Sequence, residues 1–278
     1  MKRALLFLAA LFVLVYAYSV TCEAADTKAT VPEEAVVIKK EHGLIDWTQN
    51  YIEASGMAVA PTGTKGAQAK ALAKRGAIVD LQRNLLEFIS GVHVDSRTTM
   101  NDFMAEDRVR SEVHGCIRNI ELMEGVWDGE SYTVSGRVKL PEILVIVAPN
   151  IKAAEAKRPA PAAPKVPKGK KYTGLVIDAR SLSISPTLSF RVIDEKGSEV
   201  YGINFADQKF YLQSGLATYY NNLNYAKGEI RVASNPIVTK GARVNGNGDI
   251  IIPTSAANMV RGSTYDFRKE CKVIIVCK

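Results

Sequence analysis

Histidine and cysteine are both scarce in this sequence. The three histidines, His42, His93 and His114, stand in no nucleophile or zinc motif, and neither CxxC nor HxxxH spacing occurs. The common zinc arrangements are thereby removed. His93-Val94-Asp95 would put two polar side chains on one strand face, where a metal could sit, but a solvated strand accounts for the same pattern. The four cysteines are Cys22, Cys116, Cys271 and Cys277. Setting Cys22 aside with the leader leaves an odd number, which argues against a disulfide framework and for thiols acting as small hydrophobes. Cys271 and Cys277 flank the run KVIIV; on a strand they would share a face about 20 Å apart, too far to bridge. No GxSxG or GxGxxG is present. Asn245-Gly246-Asn247-Gly248-Asp249 resembles half of a calcium loop but has no acidic residue at the spacing an EF-hand needs, so it reads as a tight turn. No catalytic residue, metal site or cofactor is expected, and the role is expected to be non-enzymatic.

Long hydrophobic runs are also missing after the first two dozen residues; the longest, Ile143 to Pro149, is far too short to span a bilayer. The leader itself is different. Lys2 and Arg3 precede the apolar stretch Ala4 to Val20, and Cys22-Glu23-Ala24 fits a small-x-small cleavage site. Residues 1–24 are therefore expected to be a signal peptide, with Ala25 as the mature terminus and the rest of the chain outside the cytoplasm. Two alternatives start from the same residues: an uncleaved anchor, and lipidation at Cys22, for which Ser19 and Thr21 make a poor lipobox.

Basic charge is confined rather than spread. Between 151 and 171 stand Lys152, Lys157, Arg158, Lys165, Lys168, Lys170 and Lys171 against Glu155 alone, nearly all of the formal net charge of +7. A chain whose remainder is close to neutral offers no basic face for nucleic acid. Pro159, Pro161, Pro164 and Pro167 fall in the same stretch, which predicts an extended, protease-sensitive linker over 151–171 and a candidate tether to anionic surfaces.

Residues 25–44 read as an N-terminal extension and 45–150 as a first domain. Alternation over Asn50 to Ala60 predicts a strand ended by Pro61-Thr62-Gly63. From Thr64, a candidate N-cap, a helical period takes over: Ile78, Leu81, Leu85, Phe88, Ile89 and Val92 form one stripe, five alanines favour close packing, and Gly91 ends the helix. Lys70, Lys74 and Arg83 fall on the opposite face and are candidate interaction residues. His93 to Arg110 reads as a loop or short strand. Val113 to Trp127 and Ser131 to Leu140 read as strands joined by an Asp128-Gly129 hairpin turn. The expected result is α+β, a small antiparallel sheet with one long packed helix.

IDWTQNYIEASGMAVAP, the block AQAKALAKRGAIVDLQRNLLEFISGVHVDS and the strand that ends in RVKL together resemble the Lpp-twenty lipoprotein family, which includes FlgP-like flagellar accessory proteins, and are similar to the FlgT N-terminal domain. The likeness covers about residues 43–140. It implies a helix-on-sheet domain, in the periplasm or associated with the outer membrane, that assembles with itself or with envelope and flagellar proteins, and it brings no catalytic residues. The family's usual lipobox is absent here, and a further domain follows.

That second domain, 172–278, also reads as α+β. Tyr172 to Ala179 predicts a strand, Leu188 to Asp194 with Glu199 to Tyr201 a hairpin over Lys196-Gly197, Ile237 to Val244 and Asp249 to Ile252 strands around the Asn-Gly turn, Ser255 to Glu270 a partly helical stretch, and Cys271 to Cys277 a buried strand. Phe205 to Tyr225 reads as an aromatic insert, with Tyr211, Tyr219 and Tyr220 as candidate contacts for a glycan or a partner. Two roles follow: a structural or assembly protein of the envelope, or a periplasmic module that binds a glycan or another small ligand.

Overall fold

The computed structural model describes residues 33–158 and 161–278. The leader and Cys22 lie outside the described residues. The chain is mixed α and β: an antiparallel sheet carries a long helix, and a second α+β region begins at residue 174.

The first sheet joins β1 (Val37–Lys40), β2 (Gly43–Asp46), β3 (Tyr51–Val59), β4 (Glu121–Leu122), β5 (Val126–Trp127) and β6 (Ser131–Lys139). Its order is β1-β2-β3-β6-β4, with β5 also on β6 and every pairing antiparallel. β1 and the first two residues of β2 fall within 37–44, which is thus part of the sheet rather than a separate extension. The long helix α1 (Gly66–Ser90) lies on one sheet face and buries Ala69, Ala73, Ala77, Leu81, Leu85, Phe88 and Ile89, while Ile78 is only half-buried. Its contact with β3 is backbone-close. A Cβ at Gly56 would stand 2.1 Å from the Leu81 nitrogen and 2.3 Å from the Ala77 oxygen. Beyond Ala54 the open edge of β3 is satisfied from the helix: Met57 N–H donates to Asp80 Oδ2 at 3.0 Å, and Asn84 Nδ2 donates to the Ser55 carbonyl at 2.8 Å. The N-cap is Lys65, because the Thr64 hydroxyl donates to Pro61 O instead. Gly91 caps the C-terminus with φ −83°, so its left-handed freedom is not used.

Helix replaces part of an expected strand and part of a stretch expected as a loop or short strand. His93 to Arg110 forms only an isolated bridge, His93 to Thr99, before α2 (Met100–Phe103) and α3 (Asp107–Arg118). The segment from Val113 to Arg118 therefore belongs to α3, whose Val109, Val113 and Ile117 are buried at four-residue spacing. The Asp128-Gly129 hairpin forms as expected, with Gly129 at φ +109°. After β6 the chain enters α4 (Leu140–Ala156), which passes through Pro149 and buries eight residues. Residues 151–156, expected in the linker, are the end of this helix.

The second half contains β7 (Gly174–Asp178), β8 (Val192–Asp194), β9 (Glu199–Tyr201), α5 (Gln208–Ser214), β10 (Thr218–Tyr220), α6 (Leu223–Gly228), β11 (Pro236–Lys240), β12 (Arg243–Val244), β13 (Ile250–Ile252), α7 (Thr254–Gly262) and β14 (Val273–Val276). One sheet, β10-β14-β7-β11, is parallel throughout. Its inner strands GLVID and VIIV are buried at every position, as parallel strands covered on both faces must be. The other sheet, β12-β13-β8-β9, is mixed. The edge of β10 is covered by the start of the described chain: Asn221 N–H donates to Glu34 O at 3.0 Å and Ala35 bridges to Tyr220. One continuous apolar core runs from Ile45 through α1 and α4 to Cys277.

Residues 161–171 form neither helix nor strand and are mostly exposed, yet they are laid on the second half. Gly169 N–H donates to Gly262 O at 2.8 Å, and Lys168 Nζ donates to the Arg261 and Ser263 carbonyls at 3.0 and 2.8 Å. Limited trypsin is expected to cut at exposed Lys165 before any bond within α1. Because the core is shared, the fragments are expected to co-elute in native sizing chromatography; independent elution would contradict the continuous core.

Candidate functional site

Where the end of α4 meets the second half, the chain forms a cavity of about 510 Å³ that is open to solvent. Its base is pinned by backbone: Leu188 N–H donates to His93 O at 2.9 Å and Ser189 N–H to Val94 O at 2.8 Å. One wall is α4, with Ile151, Ala154 and Glu155; another is the irregular segment from Ser183 to Arg191; the rim carries Ser96 and Arg97 opposite Asn247 and Gly248.

Four charged side chains form a closed ring in the back wall. Arg158 Nη1 pairs with Glu155 Oε1 at 3.0 Å and its Nη2 with Asp249 Oδ1 at 3.0 Å. Arg191 Nη1 pairs with Glu155 Oε2 at 3.0 Å, and its Nη2 and Nε reach Asp249 at 3.1 and 3.2 Å. The Asp249 side chain is 2% exposed and that of Arg158 31%, so the ring runs from the interior to the cavity surface. Burial alone would lower the Arg191 pKa; the hydrogen bond and charge of Asp249 outweigh it and hold the guanidinium above its ordinary value. Glu199 behind the ring is raised, first by burial and then by Glu155 and Asp249, with Arg191 opposing.

Local sequence explains how Asp249 arrives there. In the Asn-Gly turn, the Asn245 side chain accepts from Asn247 N–H at 2.8 Å and Asp249 N–H at 3.0 Å, and its amide donates to Asp249 Oδ2 at 2.9 Å. Gly248 takes φ +81°, and a Cβ there would fall 1.7 Å from Ser96 Oγ, so glycine alone allows the two rim loops to meet. Arg97 Nη2 donates to Asn247 Oδ1 at 3.1 Å across that rim. Asp95 Oδ1 accepts the Arg97 and Thr98 backbone N–H groups at 2.8 and 2.9 Å, a role internal to its loop. The half-buried rings of Phe103 and Phe190 supply apolar wall.

The residues singled out from sequence fall elsewhere. Lys70, Lys74 and Arg83 are exposed on α1, with Lys74 Nζ lying over the ring of Tyr132 in β6 at 5.9 Å from its centroid. Tyr211, Tyr219 and Tyr220 are buried, at 2%, 2% and 7% exposure, which withdraws them from any external glycan or partner face. Their segment is no insert: it supplies α5, β10 and α6, and the Tyr219 ring meets Trp47 edge-on at 5.7 Å. Tyr219 lines the deep end of the cavity, where its hydroxyl donates to Thr187 O at 3.0 Å and burial pushes it up to about 12. The three described cysteines are free thiols; burial first, then the Glu142 charge, pushes Cys116 up to about 12.

Sequence reasoning missed Arg97, Glu155, Arg158, Arg191 and Asp249 because they come from four separate segments. The only local signals were the Glu155–Arg158 spacing of three and the acidic residue closing the Asn-Gly turn.

A family model described as Treponema pallidum Tp0624, second domain, matches residues 174–278. The match begins at the first residue of β7 and includes Arg191 and Asp249, whereas Arg97, Glu155 and Arg158 lie before it. No curated protein matches the chain.

Proposed function

We propose that this protein is a non-enzymatic module of the bacterial envelope, exported to the periplasm, that binds a small polar ligand in the cavity at the end of α4. One observation carries the reading: a cavity of about 510 Å³, within the size range of ligand pockets, whose buried carboxylates are committed to arginines. Glu155 and Asp249 each accept from both Arg158 and Arg191, so they act as fixed walls rather than as free proton acceptors. Export rests on the charged, apolar, small order of residues 1–24.

A second reading, assembly with itself or with envelope or flagellar proteins, draws support from the sheet face opposite α1, where Met57, Val59 and Val126 are 57%, 65% and 68% exposed. The two readings respond differently to a plug. Ala154 lines the cavity and is exposed, and replacing its methyl group removes no hydrogen bond or ion pair. Ala154→Trp is expected to abolish capture of polar small molecules from an envelope extract, read by native mass spectrometry, while stability and oligomeric state stay as in the wild type. Capture that is unchanged in Ala154→Trp would overturn the cavity as the site.

A further inference from the structure

Resting on that cavity reading, we infer that its ligand is a neutral saccharide, gripped at the rim by Arg97 and Asn247. The two arginines of the back wall already face two carboxylates at 3.0–3.2 Å, so an entering phosphate or carboxylate would have to compete with Glu155 and Asp249 for them. At the rim, Arg97 has Asp95 two residues away in the same turn. A cation meets the mirror problem, because each ring carboxylate is held by two guanidinium groups. A neutral ligand enters without stripping water from a charge of its own, which is the costly step in a site of this kind.

Hydrogen-bonding groups point the same way. Arg97 and Asn247 are exposed, planar and 3.1 Å apart, one presenting only donors and the other both donors and an acceptor. The hydroxyls of Ser96, Ser183 and Ser185 nearby can each donate and accept. A sugar hydroxyl does both as well, so neighbouring hydroxyls on a pyranose ring can satisfy this mixed set, which a simple anion or an apolar molecule cannot. Phe103 and Phe190 offer apolar wall for the C–H face of such a ring, and a cavity of 510 Å³ has room for more than one sugar unit.

The test uses the full mature chain with cellobiose, N,N′-diacetylchitobiose and inorganic phosphate as probes, followed by saturation-transfer NMR and calorimetry. At least one disaccharide is expected to bind the wild type. Binding should weaken about tenfold or more in Arg97→Ala, because a rim donor built for a hydroxyl is lost. It should weaken similarly in Arg97→Lys, which keeps the charge but not the planar fork, and vanish in Ala154→Trp. Arg97 is exposed, so unchanged melting temperatures separate lost binding from lost folding. Phosphate binding with full rescue by Arg97→Lys would overturn the saccharide and keep the cavity. If neither disaccharide binds while an extract ligand is still captured in a plug-sensitive way, the saccharide alone falls; if no plug-sensitive ligand exists, both inferences fall.

Discussion

Asp249→Ala is expected to cost about 3–5 kcal/mol of folding stability, the range for removing one partner of a buried ion pair. Asp249 neutralises Arg158 at 3.0 Å and Arg191 at 3.1 Å, and Arg191 has little solvent to fall back on. The variant leaves Glu155 as the sole counter-charge for two guanidinium groups. Urea unfolding in low and high salt measures this. The loss should persist at high salt because buried pairs are poorly screened. In the double variant with Arg191→Ala, the losses should not add, since the two residues share one network. A loss below about 1 kcal/mol, the level of an exposed pair, would mean that water reaches the ring freely.

The second large effect lies in the first half. Leu85 is fully buried where α1 meets the sheet, and Leu85→Ala is expected to cost about 2–5 kcal/mol, the range for cavity-forming substitutions. Arg83→Ala, at an exposed position, should change stability by about 0.5 kcal/mol or less, and Lys74→Ala, which removes a cation over the Tyr132 ring, by about 1 kcal/mol or less. All three are measured by denaturant unfolding of the full chain, with sizing chromatography alongside. Equal losses for Leu85→Ala and Lys74→Ala would put the helix in the wrong phase. Loss of an assembly state in Lys74→Ala, with the fold intact, would move weight to the assembly reading.

What could be read from the sequence was what repeats locally. β3, α1, the Asp128-Gly129 hairpin, the β8–β9 hairpin and β14 each carry a period or a turn within a dozen residues, and each formed near its expected place. α4 was not legible because it is apolar nearly all round; buried Ile143, Leu144, Ile146 and Val147 give no amphipathic phase, and a run rich in β-branched residues reads equally as a strand. A strand expected over Val113 to Trp127 cuts across α3, although Val109, Val113 and Ile117 have helical spacing. The tyrosines misled for a different reason. Composition marks an aromatic cluster but not its burial, and β10 becomes interior only when Ala35 and β14 flank it. The ring escaped altogether, since the contacts between Arg158 and Asp249 and between Arg191 and Asp249 span 91 and 58 residues.

If the cavity at the end of α4 is where the protein meets its ligand, amide chemical-shift mapping of the isotopically labelled mature chain, titrated with a polar envelope extract, will register it. Saturable shifts are expected at Ser96, Arg97, Ser183, Ser185, Asn247 and Gly248, all absent from the same titration of Ala154→Trp. Saturable shifts confined to Met57, Val59 and Val126, or shifts that persist unchanged in the plugged variant, would contradict it.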